Sequence, residues 1–368
     1  MLELISVGFA SAMLLATGKA MDKATEEDEE EEYHRTLVWK QALAVAIVII
    51  IIVSVAGAVV YYYKPSTHVN IILYGYSVKG EVMDGKVIPA FKAYWKNKTG
   101  ETVTFQTVYA GSGAITKQVI SGAPAKVMIL ATEWDALQLK KNGFITTDWN
   151  KFPHNGTIST SPFLILTRNG NPKHITDFQD MGSKNIKTVS ADPATSGGAC
   201  WSIFGIYGSE LRRTNNTTAA DALVTTIVKN IIAYQSSARD ALTYFTLGFG
   251  DALITYESDA LLANKQGKDL TLVYPKSTIS SEHKIVMIDK NVNASERKVV
   301  QAFIDYMYTE QTQKYFTQYG FHSVDENLNQ GHPEFGTIQD PFYVTYLGGW
   351  EKAHADLIDG VFKDARNP

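Results

Sequence analysis

Hydrophobic and polar positions along this chain fall into distinct regimes, and the clearest lies near the start. From Gln41 to Val60 the sequence QALAVAIVIIIIVSVAGAVV runs without a single charge. As a helix rising ~1.5 Å per residue, such a run crosses a hydrocarbon core of ~30 Å. Trp39 precedes it and Tyr61, Tyr62 and Tyr63 follow, aromatic rings of the kind that settle at both membrane interfaces. After Pro65 the pattern changes to short β-branched runs alternating with amphipathic segments. Val69 to Leu73 precedes a helical stretch through Phe91 and Trp95; Val103 to Tyr109 precedes Ala114 to Ile120; Val127 to Leu130 precedes Trp134 to Lys141. A second set follows: strands at Phe163 to Thr167, Ile186 to Ser190, Ile231 to Tyr234 and Ala252 to Tyr256, with helices at Ala199 to Leu211 and Asp240 to Leu247. The chain returns through Tyr274 to Thr278 into a strand at Lys284 to Ile288. It then enters one helix from Ser295 to Gln318, with Val299, Val300, Phe303, Tyr306 and Met307 as its core-facing stripe.

Alternation of this kind predicts an α/β fold with a largely parallel sheet. Two sets of similar make-up, joined near Thr157 to Ser161 and again near Tyr274 to Thr278, predict two lobes with a cleft between them, where a ligand would sit. The expected layout is an acidic cytoplasmic tail over 1–40, a transmembrane anchor over 41–63 and a linker over 64–68. Lobe 1 is then built from 69–158 and 275–368, and lobe 2 from 159–274.

Charge refines this layout. The net charge is −4, yet residues 1–40 hold nine acids against four bases, a net of −5, so the remainder is near neutral at +1. A near-neutral body has no basic stripe for phosphate backbones, which argues against nucleic-acid binding. Arg35 and Lys40 before the apolar run, against Lys64 alone after it, favour the N-terminus inside and the body outside. Sequons beginning at Asn97, Asn155, Asn215, Asn216 and Asn293 all lie downstream, agree with that orientation and are candidate glycosylation sites. The earlier apolar stretch, Leu4 to Thr17, lacks a basic start and is a poor signal peptide; translation from Met21 would remove it. The lone Cys200 excludes an intramolecular disulfide and reads as a buried, inert thiol.

Candidate chemistry concentrates at three strand-to-helix junctions: Ala110-Gly111-Ser112-Gly113, Thr195-Ser196-Gly197-Gly198 and Ser236-Ser237-Ala238. Each is small, uncharged and rich in hydroxyls. A helix start carries free N–H groups and a partial positive charge, and glycine lets an anion approach the backbone. One such junction reads simply as a serine cap; three together point to an anion cradle. Nothing comparable supports catalysis. GxSxG, HExxH, P-loop and Cys-x-x-Cys patterns are absent, and the eight histidines are scattered without metal-ligand spacing, so neither enzyme activity, metal nor cofactor is expected. Asp135, Asp192 and Asp251 fall at strand ends, where an anion site requires them to point away or to pair.

These junctions, with Thr160-Ser161, RNGNP at 168–172, PATSGGACW at 193–201, SARDALT at 237–243, GDALITYESDALL at 250–262 and Gly348-Gly349-Trp350, resemble in order and spacing the sulfate- and thiosulfate-binding proteins of ABC importers. The resemblance covers roughly Val69 to Asp364. It implies a two-lobed periplasmic-binding-protein fold of type II, with a tetrahedral dianion buried between the lobes and held by hydrogen bonds alone. Carried across by position, it implies donors at Ser112 (hydroxyl), Ser196 (hydroxyl and backbone), and Gly197, Gly198, Ala238 and Val78 (backbone). Tyr256 stands where the family has a tryptophan indole. Ser77, Ser161 and Arg239 are expected behind these positions, Arg239 acting through the Ala238 peptide. Trp201 and Trp350 are expected in the core.

Two departures stand out. The family's Ser-Tyr-Asp-Pro turn reads Tyr76-Ser77-Val78-Lys79 here, and the phenol of Tyr256 accepts as well as donates, unlike indole. A pocket made only of donors suits sulfate, which has no proton to place, and rejects protonated phosphate. The resemblance implies sulfate or a related oxyanion as ligand, and an ABC permease with its ATPase as partners. A membrane-anchored oxyanion sensor signalling to a partner protein is the alternative.

Overall fold

The computed structural model describes residues 29–62, 69–182 and 185–366. Most of the acidic tail and the 64–68 linker lie outside the described residues. The chain separates into two units, and among the described residues the first contributes one helix, α1 (Glu29–Tyr62). Its stretch Leu37–Ala56 is long and apolar enough to cross a membrane, and none of it is buried within the protein. That stretch begins four residues before the expected span, because Leu37, Val38 and Trp39 extend the apolar run around Lys40.

The second unit is the α/β body. Lobe 1 is built on β1 (Val69–Tyr76), β2 (Val103–Ala110) and β3 (Val127–Leu130), with α2 (Ile88–Thr99), α3 (Ser112–Ile120) and α4 (Glu133–Lys141). A long strand β4 (Thr157–Thr167) leads into lobe 2. That lobe contains β5 (Thr188–Ala191), α5 (Gly197–Thr214), α6 (Thr217–Lys229), β6 (Ile231–Gln235), α7 (Ala238–Thr246), β7 (Ala252–Tyr256), α8 (Glu257–Lys265) and β8 (Thr271–Val273). A second long strand, β9 (Ser277–Met287), returns to lobe 1, where α9 (Ala294–Tyr306) and α10 (Glu310–Gln318) follow. A short β10 (Asp340–Phe342) then pairs with β9, and the chain closes with a helical run over 350–366.

The strand order is β2-β1-β3-β9-β4-β7-β5-β6, with β8 added to β4 and β10 to β9. Pairing is parallel for β1 with β2 and β3 and for β5 with β6 and β7, while β3 with β9 and β4 with β7 and β8 pair antiparallel. It is also antiparallel where β4 and β9 cross, and the two crossings pair with each other from Thr157–Lys284 to Pro162–Ser280. The expected pair of connections is therefore a hydrogen-bonded ribbon. β4 and β9 exceed their apolar runs because Ser and Thr positions, which read as linkers, form its central ladder.

One predicted helix is divided. Residues 295–318 form α9 and α10 because Thr309 caps a new start, its hydroxyl accepting from Thr312 N. Gln313 then donates from Nε2 to Met307 O at 2.7 Å and Ile158 O at 2.9 Å, pinning the break to β4. The C-terminal run, expected with lobe 1, packs its helices largely on α5 and α6 of lobe 2. Trp350 sits 4.6 Å, centroid to centroid, from Trp201 in an edge-on contact, and both tryptophans are core residues. Two sequon asparagines have local structural roles: Asn216 and Asn293 cap α6 and α9 through their side-chain oxygens.

Candidate functional site

All three junctions meet at one place. Gly111, ahead of α3, lies so close to lobe 2 that a Cβ built on it would stand 2.3 Å from Thr195 O and 2.6 Å from Ser236 O, one atom from each of the other junctions. The lobes touch here along backbone: Ala114 N donates to Thr195 O at 3.0 Å, and Lys117 Nζ to Ala194 O at 2.7 Å. Within lobe 2, Thr195 Oγ1 donates to Ser236 O at 2.8 Å, joining the second and third junctions. Three helix starts, α3, α5 and α7, therefore converge, and the first N–H groups of a helix have no acceptor within it.

The helix starts differ in how they are capped. Ser237 serves its own helix, accepting from Asp240 N and donating to Asp240 Oδ2 at 2.8 Å, so its hydroxyl is used. Ser196 does not cap α5, and Gly111 has no side chain with which to cap α3. An uncapped serine at an N-cap leaves both its hydroxyl and the following N–H groups available. Gly197 and Gly198 supply those groups and leave no room for side chains. A Cβ on Gly197 would meet Thr132 at 2.6 Å, and one on Gly198 would meet Ala238 and Tyr256 ring carbon at 3.0 Å each. Ser112, Ser196, Gly197, Gly198, Ala238 and Tyr256 are thus brought together. Val78 is buried in a 3-10 turn directly after β1, and that turn packs against α7; half-buried Ser77 begins it.

Two donor assignments change. Ser112 Oγ donates to Asp135 Oδ2 at 2.6 Å and accepts from Ala131 N at 3.0 Å, so its one proton is spent within the protein. Thr132 Oγ1 joins the same carboxylate oxygen at 2.6 Å. Asp135 therefore pairs with hydroxyls rather than with a cation. Burial pushes its carboxyl above the usual range, and the hydroxyls of Ser112 and Thr132 offset part of that rise. The second change is at Ser196, whose backbone N–H donates to Asp192 O at 2.8 Å, leaving its hydroxyl as the expected contact. Asp192 and Asp251 both pair as expected, Asp192 with Arg366 at 2.8 Å and Asp251 with the Lys187 amide at 2.8 Å.

Arg239 ties the lobes from behind. It reaches Glu81 at 3.1 Å and the fully buried Asp259 at 3.0 Å. Burial raises the Asp259 carboxyl to about 6 even with that guanidinium beside it. Tyr256 and Tyr76 lie next to this pair, ring centroids 6.0 Å apart, and both hydroxyls are buried without a hydrogen-bond partner among the described residues. Ser161 is buried and works one step away, its Oγ accepting from Ser258 N at 3.1 Å to hold the start of α8 beside Tyr256. Cys200 is buried, and burial pushes its thiol up, consistent with an inert packing residue.

A polar chain that sequence reasoning passed over runs across the ribbon between the lobes. Ser281 Oγ donates to Ser161 O at 2.6 Å, so it accepts from His283 Nε2 at 3.1 Å. That leaves Nδ1 as the acceptor for Ser159 Oγ at 2.8 Å, and Ser159 in turn accepts from Lys79 Nζ at 2.5 Å. The bonds fix His283 as a neutral ring protonated on Nε2. Burial, then the Lys79 charge, hold its pKa well below the usual histidine value. Ser159-x-Ser161 on β4 and Ser281-x-His283 on β9 are the local signals; the two pairs lie more than a hundred residues apart.

A two-lobed α/β body, with paired strands crossing between lobes and helix starts converging at the interface, defines a solute-binding protein, a class that binds and does not catalyse. A profile of the bacterial extracellular solute-binding protein family matches residues 80–322. A sulfate-binding protein of Synechococcus elongatus is 34% identical over 304 residues, 80% of this chain and 86% of the relative. One from Escherichia coli is 33% identical, covering 73% and 83%. The sulfate-binding protein SubI of Mycobacterium tuberculosis superposes with a TM-score of 0.73 at 29% identity, over 79% of this chain and 99% of that structure. The chain belongs to the sulfate- and thiosulfate-binding proteins of ABC importers.

Proposed function

We propose that the body captures sulfate or a closely related tetrahedral oxyanion between its lobes and delivers it to an ABC import permease with its ATPase. Backbone N–H groups of Gly197, Gly198, Ala238 and Val78, with the hydroxyls of Ser196 and Tyr256, are the proposed contacts; Ser112 lines the same cleft. The observation that carries this reading is the meeting of three helix starts at Gly111, Thr195 and Ser236. Their summed partial charges favour a compact anion, and no fixed cation is required. Sulfate is expected to raise the melting temperature of the protein, since a ligand that binds the folded state alone must stabilise it. Ser196→Ala removes one charge-assisted hydrogen bond of ~1.5–3 kcal/mol, which predicts a loss of roughly 10- to 100-fold in sulfate affinity by titration calorimetry. Unchanged affinity would place the anion elsewhere.

The same reading makes α1 a single-pass tether that keeps the receptor at the extracytoplasmic face of the cell membrane. Its support is the apolar, unburied surface of Leu37–Ala56, which carries no charge beyond Lys40. The full chain is expected to stay with membranes through an alkaline carbonate wash and to be released by detergent. Release by carbonate alone overturns the tether.

A further inference from the structure

We infer that the cleft holds proton acceptors as well as donors, at Tyr256 and at the Ser112–Asp135 pair, and so admits a tetrahedral oxyanion that carries a proton, such as hydrogen phosphate. The inference rests on the cleft assignment above and deepens it by naming the protonation state of the ligand class.

A serine hydroxyl has one proton and two lone pairs. In Ser112 the proton goes to Asp135 Oδ2 and one lone pair takes the Ala131 N–H, at 2.6 and 3.0 Å. What Ser112 still offers is a lone pair. Asp135 enforces this arrangement: it is buried, it receives the Thr132 hydroxyl on the same oxygen, and no lysine or arginine pairs with it among the described residues. The other titratable groups facing it are the His354 ring, stacked at 4.1 Å on neighbouring Trp134, the buried Cys200 thiol and the buried Tyr256 hydroxyl. The Ser112 proton goes to Asp135 rather than to any of these.

Tyr256 supplies the second acceptor. Its hydroxyl is fully buried, has no partner among the described residues, and lies 3.3 Å from where a Cβ on Gly198 would stand, against the uncapped start of α5. A phenol there can donate to a bare oxygen or accept from a protonated one, whereas an indole in its place would only donate. Burying an O–H against a donor is what excludes a protonated oxyanion from a donor-only pocket. Two accepting positions remove that penalty.

The test uses the full chain in detergent and titrates sulfate and inorganic phosphate at about pH 8, where both are predominantly doubly charged and differ by one proton. Phosphate is expected to displace sulfate with an affinity within about 100-fold of it, a gap of roughly 3 kcal/mol. Tyr256→Trp and Ser112→Ala, which removes the accepting lone pair, are each expected to lower the phosphate-to-sulfate affinity ratio by about tenfold or more, the equivalent of one unmet hydrogen bond. Tyr256→Phe keeps the ring, serves if the larger indole disturbs folding, and is expected to move the ratio the same way. Sulfate binding without competition from millimolar phosphate overturns the inference, as does a ratio unchanged in the variants. Failure of both anions to bind overturns the cleft assignment itself, and is distinguishable because sulfate then gives no signal either.

Discussion

Gly111→Ala is expected to reduce sulfate affinity by two orders of magnitude or more while leaving the fold intact. The backbone at this residue, φ −57° and ψ 136°, is one that alanine adopts freely, so nothing in lobe 1 resists the change. The obstacle lies across the cleft. The added methyl would stand 2.3 Å from Thr195 O and 2.6 Å from Ser236 O, and neither carbonyl can swing aside because each ends a strand-to-helix turn. Relief requires the lobes to part. Hydrogen bonds weaken steeply with distance and angle, so even a modest gap breaks the interlobe bond from Ala114 N to Thr195 O and moves α3 away from α5 and α7. Calorimetry reads the affinity, and X-ray scattering reads whether sulfate still compacts the body. Wild-type affinity in the variant would mean that the lobes need not meet here to hold the ligand.

The second large effect is expected at Lys79. Its ammonium is fully buried, 2.5 Å from Ser159 Oγ and 3.3 and 4.0 Å from the ring centroids of Phe321 and Phe316, and no carboxylate pairs with it among the described residues. Ring faces attract a cation but do not replace its hydration. Burial accordingly pulls the lysine pKa well below its usual value. The sign of the pH dependence follows. The folded form binds this proton less tightly than the unfolded chain, so the stability linked to Lys79 is complete above the ordinary lysine range, about 10.4, and is lost as pH falls through the lowered folded pKa. Lys79→Met retains the apolar stem and removes the charge. It is expected to stabilise the body by about 1–4 kcal/mol at neutral pH, with the gain shrinking towards pH 10. Denaturant melts at the two pH values measure this; a variant less stable than wild type, or a difference independent of pH, refutes it.

These two positions also show where sequence reading stops. β3 and β7 match the predicted strands residue for residue, because each is a short apolar run buried on both faces. The three junctions were legible as Gly/Ser clusters ahead of helices. Their convergence is implied by the family resemblance, but the approach of Gly111 to within one atom of both other junctions is not legible, since no local rule relates residue 111 to 195 or 236. Likewise, Ser112 read as a donor because Asp135 is 23 positions away, and a pairing at that separation leaves no periodic trace. Lys79 read only as a departure from a turn motif; its burial depends on Phe316 and Phe321, contributed by the far end of the chain. The pattern also passed over α6, whose apolar face, Ala220, Val224, Ile227 and Val228, has the right spacing but is bordered by threonines that lower helix propensity.

The ribbon formed by β4 and β9 limits how the receptor can open. Two independent tethers would let the lobes slide, twist or separate in any direction. Here the tethers are zipped to each other from Thr157–Lys284 to Pro162–Ser280, and sliding one along the other by a residue would turn every side chain of the ladder to the wrong face. What remains inexpensive is bending about the ribbon, as a book opens about its spine. Any closure of the lobes is thereby confined to a single angle, set by the paired strands rather than by either lobe alone.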